Sequence, residues 1–359
     1  MPRSAGNKRL RVGFIGAGDI AELQMAKFAS RSDVDLVAFT DLNKESLVKR
    51  QASYPDAALY TDYKQMLKQE SLDAVSVCTP NRFHAEPTIA ALKAGCHVLC
   101  EKPLAMTLTE GRRMAKAAKQ ANRQLVVAFQ YRLDPRTQYL RRAHDEGAFG
   151  EVLFARVQAM RRRGIPNWGV FGQKALSGGG PIIDIGVHVL EMAHYTMGSP
   201  QPVSASADMF TYLGNQPSDA IASPMAGWDY KTYDVEDLAV GRIRFDNGAV
   251  LHIECAFAAH IGERSLMNFQ LMGSKGGATW DPTVIHTDEA GHMVNKQPAW
   301  LADTSFKAVF NRKIDSFVDQ ILHQGPCAVP IEDALKVQSM LNALYDSAQR
   351  DGKEVAIRI

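Results

Sequence analysis

No stretch of this sequence approaches the roughly 20 consecutive apolar residues that a helix needs to cross a bilayer, so a membrane role is not expected. Neither sign of charge dominates. The 41 Lys and Arg residues face 39 Asp and Glu, and the basic residues are scattered, which leaves no electrostatic footprint for nucleic acid. The longest basic cluster, Arg161-Arg162-Arg163, reads as a solvated strand end. Cysteine is also scarce. Cys78, Cys96, Cys100, Cys255 and Cys327 are odd in number and have neither a disulfide framework nor metal-site spacing, so a reducing cytoplasm is the expected compartment. The first apolar run is interrupted by Arg11, Gly13, Gly16, Gly18 and Asp19, which argues against a signal peptide. Internal repeats and low-complexity tracts are missing as well.

What is present fits two domains, because 359 residues exceed the size at which one hydrophobic core usually stops growing. Short Val- and Leu-rich runs at 10–15, 35–40, 74–79, 97–100 and 125–129 alternate with helix-length segments. That alternation predicts a doubly wound parallel sheet of βαβ units over residues 1–131. Residues 132–359 read differently. Leu251, Ile253, Cys255 and Phe257 alternate with His252, Glu254 and Ala256 after a hairpin signal at Asp246-Asn247-Gly248, which predicts a large, mainly antiparallel sheet. Residues 211–232 read as a long loop. Ala334, Val337, Leu341, Leu344 and Ala348 recur at helical spacing, predicting a helix over 333–350 that packs back on the first domain.

The first run leads into Gly16-Ala17-Gly18-Asp19-Ile20-Ala21, a Gly-x-Gly-x-x-Ala turn between a strand and a helix. There Gly16 permits a tight turn, Gly18 lets the backbone approach a pyrophosphate, and Ala21 lets the helix pack close to the strand. Asp41 ends the second run, where a carboxylate accepts hydrogen bonds from ribose hydroxyls. An acid at that point repels a 2′-phosphate, and Leu42-Asn43 offers no arginine. NAD(H) is therefore expected over NADP(H), although Lys44 lies close by in sequence.

Two motifs sit at the carboxyl ends of later runs, where ligands bind open α/β sheets: Thr79-Pro80-Asn81-Arg82-Phe83-His84, and Ala94-Gly95-x-His97-Val98-x-x-Glu101-Lys102-Pro103. Phe129-Gln130-Tyr131-Arg132, Gly178-Gly179-Gly180, Asp184-x-Gly186-x-His188 and Val235-Glu236-Asp237 follow in order. With these motifs, nearly the whole chain resembles the glucose-fructose oxidoreductase, inositol dehydrogenase and rhizopine-catabolism (Gfo/Idh/MocA) family of NAD(P)-dependent oxidoreductases. The resemblance implies an N-terminal Rossmann domain, a C-terminal α/β domain on an open sheet, and a substrate held between them. It puts Lys102, Asp184 and His188 at the catalytic positions and a cis peptide bond before Pro103. Cofactor contacts are implied at Gly16, Gly18, Asp19, Ile20, Asp41, Thr79, Asn81, His84, Glu101 and Gln130, with Asn81 and His84 lining the nicotinamide pocket. Arg132, Asn167 and Trp168 are candidates for meeting substrate oxygens.

The residue types suit those roles. An amine, a carboxylate and an imidazole are the parts needed to move a proton to or from a hydroxyl while its carbon gives or takes hydride. The reading is an NAD(H)-dependent oxidoreductase acting on a secondary hydroxyl, or the matching ketone, of a sugar or cyclic polyol. Two alternatives stay open: a glycoside-cleaving enzyme that oxidises its substrate transiently, and a non-catalytic nucleotide sensor. The three-residue offsets of His188, Glu191 and His194 differ from the four-residue offset of zinc helices, so no metal is expected. By resemblance the protein is expected to form a homodimer or homotetramer through the open sheet.

Overall fold

A computed structural model describes residues 9–217 and 227–359. The chain forms two compact units. The first runs to Ala128 and takes in Phe310–Ile331; the second comprises Phe129–Val309 and Glu332–Ile359.

In the first unit the strands are β1 (Leu10–Ile15), β2 (Val34–Thr40), β3 (Ala58–Tyr60), β4 (Ala74–Val77), β5 (His97–Cys100) and β6 (Leu125–Val127). They pair in parallel in the order β3-β2-β1-β4-β5-β6. This is the doubly wound dinucleotide-binding order, whose reversal between β1 and β4 opens a crevice at the strand ends. Phe14 meets Phe28 and Phe39 edge to face at 5.7 and 6.0 Å, so the β1 core reaches both the first helix, Asp19–Ala29, and β2. Phe28 in turn meets Phe317 at 6.5 Å, and Arg31 bonds Asp315 and Asp319. The helix that returns to this unit is thus the one over Phe306–Leu322, not the expected 333–350. Its apolar face carries Ile314, Phe317 and Val318.

The second unit contains β7 (Val152–Arg161), β8 (Pro202–Phe210), β9 (Leu238–Phe245), β10 (Val250–Ala256), β11 (Ser265–Gly273), β12 (Gly276–Thr279), β13 (Val284–Glu289), β14 (His292–Lys296) and β15 (Val355–Ala356). Their order is β14-β13-β12-β11-β7-β10-β9-β8-β15. Every pairing is antiparallel except β7 with β10. The expected hairpin joins β9 to β10, with the Asn247 side chain accepting the Ala249 amide. Helix Ile331–Ala348 buries Ala334, Val337, Leu341 and Leu344, the stripe read from the sequence. It packs within its own unit, where Ser347 Oγ accepts the Ala207 amide at 2.9 Å. Of the expected 211–232 loop, 211–217 and 227–232 contain no helix or strand, and 218–226 lie outside the described residues. Among the described residues no helix is long and apolar enough to cross a membrane.

Candidate functional site

The glycine turn follows from what surrounds it. Gly16 has φ +95°, and a Cβ there would stand 2.6 Å from the Cys78 carbonyl carbon and oxygen, so glycine alone fits between β1 and the exit of β4. Gly18 opens helix Asp19–Ala29 with no side chain capping it and nothing within 4 Å of a notional Cβ. The amides of that first turn, beginning at Asp19 and Ile20, therefore keep their hydrogen-bonding capacity for a phosphate. Asp41 ties the turn down: one carboxylate oxygen accepts the Ala17 amide at 2.7 Å, the other the Asn43 amide at 2.8 Å. Each oxygen keeps a lone pair for a ribose hydroxyl. These residues fit a dinucleotide. They fit a 2′-phosphate poorly, because Leu42 is 88 % exposed and Asn43 is spent capping the next helix. The nearby Arg50 is buried against the Ala17 carbonyl and Glu22.

At the exit of β4, Thr79 Oγ1 donates to the Phe83 carbonyl at 3.0 Å, and Asn81 starts a short 3-10 turn, Asn81–Phe83. His84 is fully buried. Its Nδ1 lies 2.8 Å from the Pro103 carbonyl oxygen and its Nε2 3.0 Å from that of Thr79. Burial lowers the imidazole pKa although both carbonyls favour its charge. His84 thus joins the β4 exit to the β5 exit, with both ring nitrogens facing backbone carbonyls. The Lys102-Pro103 bond is cis. Glu101 also turns inward, at 6 % exposure, with its carboxylate held by Gln24 and Lys313, which makes it a support for the loop. Lys102 is half-buried on the same loop.

The second unit brings Tyr131, Arg161, Asp184 and His188 together. Asp184 sits in a π turn, Ile182–Gly186, that runs directly into helix Val187–Thr196, so Asp184 and His188 stand one turn apart. Gly180 leads into that turn with a Cβ position only 2.2 Å from the Glu236 carbonyl oxygen, an approach that no side chain permits. The Glu236 carboxylate accepts the Gly180 amide at 3.0 Å, the Ile182 amide at 3.3 Å and the Tyr345 hydroxyl at 2.7 Å. It thereby holds the start of the π turn. The His188 and Tyr131 rings meet edge to face at 5.2 Å. Arg161 closes the group: burial pulls its pKa down, while the Asp184 charge and the Tyr131 phenol push it up.

The other expected residues have these surroundings. Arg132, 1 % exposed, donates to Glu191 at 2.5 Å and Asp333 at 2.8 Å, so its guanidinium braces the interior of the second unit. Gln130 begins a short 3-10 turn, Gln130–Leu133, and its buried Oε1 finds no hydrogen-bond partner among the described residues. Asn167 and Trp168 lie exposed between β7 and Lys174–Ser177, and the Trp168 ring meets Phe171 at 6.2 Å. His188, Glu191 and His194 do not converge: Glu191 pairs with Arg132, and His194 Nε2 bonds the Pro200 carbonyl at 2.8 Å. Among the described residues no group of three or more His, Cys, Asp or Glu side chains is arranged to hold a metal ion. A run of three arginines hides which one points inward, so the sequence alone does not single out Arg161, the one that feels the Asp184 and Tyr131 charges.

Residues 10–129 match the oxidoreductase family with an NAD-binding Rossmann fold, and residues 137–279 match the GFO/IDH/MocA C-terminal domain. The chain belongs to the Gfo/Idh/MocA oxidoreductase family. It is 38 % identical to the D-glucoside 3-dehydrogenase of Escherichia coli (strain K12) over 341 residues, 95 % of each chain. It is 27 % identical to the myo-inositol 2-dehydrogenase of Thermotoga maritima, covering 90 % of this chain and 92 % of that protein. A levoglucosan dehydrogenase solved in complex with NADH aligns over 98 % of this chain and 100 % of its own, with a TM-score of 0.83 and 25 % identity. As a Gfo/Idh/MocA protein, then, the chain is an oxidoreductase whose glycine turn and Asp41 belong to an NAD-binding Rossmann domain.

Proposed function

We propose that this oxidoreductase is an NAD(H)-dependent dehydrogenase that oxidises a secondary ring hydroxyl of a sugar or cyclic polyol, or reduces the matching ketone. The observation that carries the reading is the grouping of Tyr131, Arg161, Asp184 and His188 on and around one π turn, in a chain that resembles a D-glucoside 3-dehydrogenase from end to end. Bound NAD supplies the hydride acceptor. His188 takes the hydroxyl proton, with its ring oriented by Tyr131. The Asp184 carboxylate holds a neighbouring substrate hydroxyl or the imidazole. Lys102 donates to the oxygen whose charge develops as the proton leaves. Proton transfer and hydride departure then occur at one carbon-oxygen unit, which is what alcohol oxidation requires.

The expected result is NADH formed in proportion to product across a panel of glucosides, anhydro-sugars, hexoses and inositols, with glucosides the best class. NAD(H) should bind at least about tenfold tighter than NADP(H), because Asp41 repels a 2′-phosphate and Arg50 is committed elsewhere. Release of nitrophenol from an aryl glucoside without net NADH would overturn the reading in favour of glycoside cleavage. A cytoplasmic homodimer or homotetramer formed through the open face of the nine-stranded sheet completes the proposal. Val240, Phe154 and Met272 lie on that face beside Arg156 and Glu254, which supports it. A single-chain mass by light scattering would refute the assembly.

A further inference from the structure

Four elements of the first unit converge on one buried carboxylate. Glu101 Oε1 accepts Lys313 Nζ at 2.7 Å and Gln24 Nε2 at 2.7 Å, and its Oε2 accepts the backbone amide of Lys102 at 3.2 Å. Gln24 lies on helix Asp19–Ala29, and Ser76 on β4 fixes its amide by donating to Oε1 at 2.6 Å. Lys313 belongs to helix Phe306–Leu322, which follows almost all of the second unit in the chain. It is 4 % exposed, and its ammonium sits 3.7 Å from the centre of the Phe310 ring. Burial opposes ionisation of Glu101, but the Lys313 charge and hydrogen bond, with Lys102, outweigh it and hold the carboxyl below its ordinary pKa.

So complete a set of partners for one side chain serves more than burial. Glu101 is the residue directly before Lys102, and the bond to the Lys102 amide fixes where that lysine leaves the strand. From this geometry we infer that Lys313 is a positioning residue for Lys102, acting through Glu101, an inference that rests on the proposed role of Lys102 in the reaction. The distal helix thereby clamps the loop on which the Lys102 ammonium is carried. A buried pair of this kind is costly to break on one side, because the remaining charge has no compensation. Misplacing a reacting group by a fraction of its length is enough to slow the reaction without loosening cofactor binding. The other titratable groups beside Glu101 are Cys78, whose thiol burial pushes up to about 12, Cys100, pushed further up by burial, and His84, lowered by burial.

The test uses the full-length protein. Lys313→Met should lower kcat roughly ten- to a hundredfold with the Kd for NADH within about twofold of the starting value. It should also move to higher pH the limb of the kcat/KM profile that is missing from Lys102→Ala, since an unbalanced Glu101 charge favours the Lys102 ammonium. In Glu101→Gln with Lys313→Met the carboxylate charge is gone, and the limb should return. A Lys313→Met protein with unchanged kcat and pH profile overturns the inference, even if it melts earlier. Should that variant not fold, the double variant decides: it keeps a neutral acceptor for the Lys102 amide but loses the tie to the distal helix, so an unchanged kcat there overturns the inference too. The two readings fail differently. If Lys102→Ala is impaired while Lys313 variants are not, the dehydrogenase proposal stands without the clamp; an unimpaired Lys102→Ala removes both.

Discussion

Replacing Lys102 or His188 by alanine should each cost roughly 10² to 10⁴ in turnover, the range for a lost general acid or base, while NADH binding changes little. The separation of effects follows from where the two side chains sit. The residues that fit the dinucleotide are the glycine turn and Asp41, whose geometry depends on Gly16, Ala17 and Asn43 and on neither variant. His188 lies on the second unit, edge to face with Tyr131 and one turn from Asp184, so its loss removes the proposed proton acceptor and leaves the Rossmann sheet intact. Lys102 lies on a loop already fixed through Glu101, His84 and the Pro103 carbonyl, so truncating its side chain leaves that loop in place. If the two act on the same oxygen, the double variant should be little worse than the more damaged single one, because groups that work as a unit do not add. Stopped-flow turnover together with quenching of NADH fluorescence makes the distinction. Near-normal turnover in both single variants would refute their assignment.

The first unit was legible in the sequence because its signals are local. A buried parallel strand writes itself as a short, mostly apolar run, and Leu10–Ile15 and His97–Cys100 match their predicted bounds. A phosphate turn has to be glycine where the backbone crowds Cys78. The edge strand Ala58–Tyr60 escaped because three half-buried residues carry no periodicity. The site of the second unit was only partly legible. Asp184 and His188 are marked by their spacing, but a sequence does not say that the spacing falls on a π turn, nor that Glu236 holds its start. Inward and outward arginines also look alike: Arg161 reaches the Asp184 group, whereas Arg132, the more motif-like of the two, is consumed by an internal ion pair. Lys313 had no signal at all. Its partner is 212 residues away, and only the path of the chain back to the first unit brings the two together.

Arg132→Met should destabilise the protein by about 3–5 kcal/mol, the usual cost of stripping one partner from a buried ion pair, and leave the KM for substrate nearly unchanged. Burial disfavours the guanidinium charge, but Glu191 and Asp333 outweigh that and hold the Arg132 pKa above its ordinary value. The group also packs over the Tyr195 ring at 4.4 Å, so the planar fork is matched on its edge by carboxylates and on its face by an aromatic. Methionine fills much of the same volume but leaves Glu191, only 1 % exposed, without a cation. For domains of this size, each kcal/mol shifts the melting midpoint by roughly 2–4 °C, so the drop should be on the order of 10 °C. Adding Glu191→Gln should recover part of it, because the stranded charge is then gone. Arg132→Lys should recover less, since a single ammonium cannot meet Glu191 and Asp333 with the same two-pronged geometry. A substrate ligand behaves in the opposite way: its loss raises KM and spares the fold. Calorimetry beside steady-state kinetics on Arg132→Met therefore separates the two, and an unchanged melting midpoint with a raised KM would return Arg132 to the substrate.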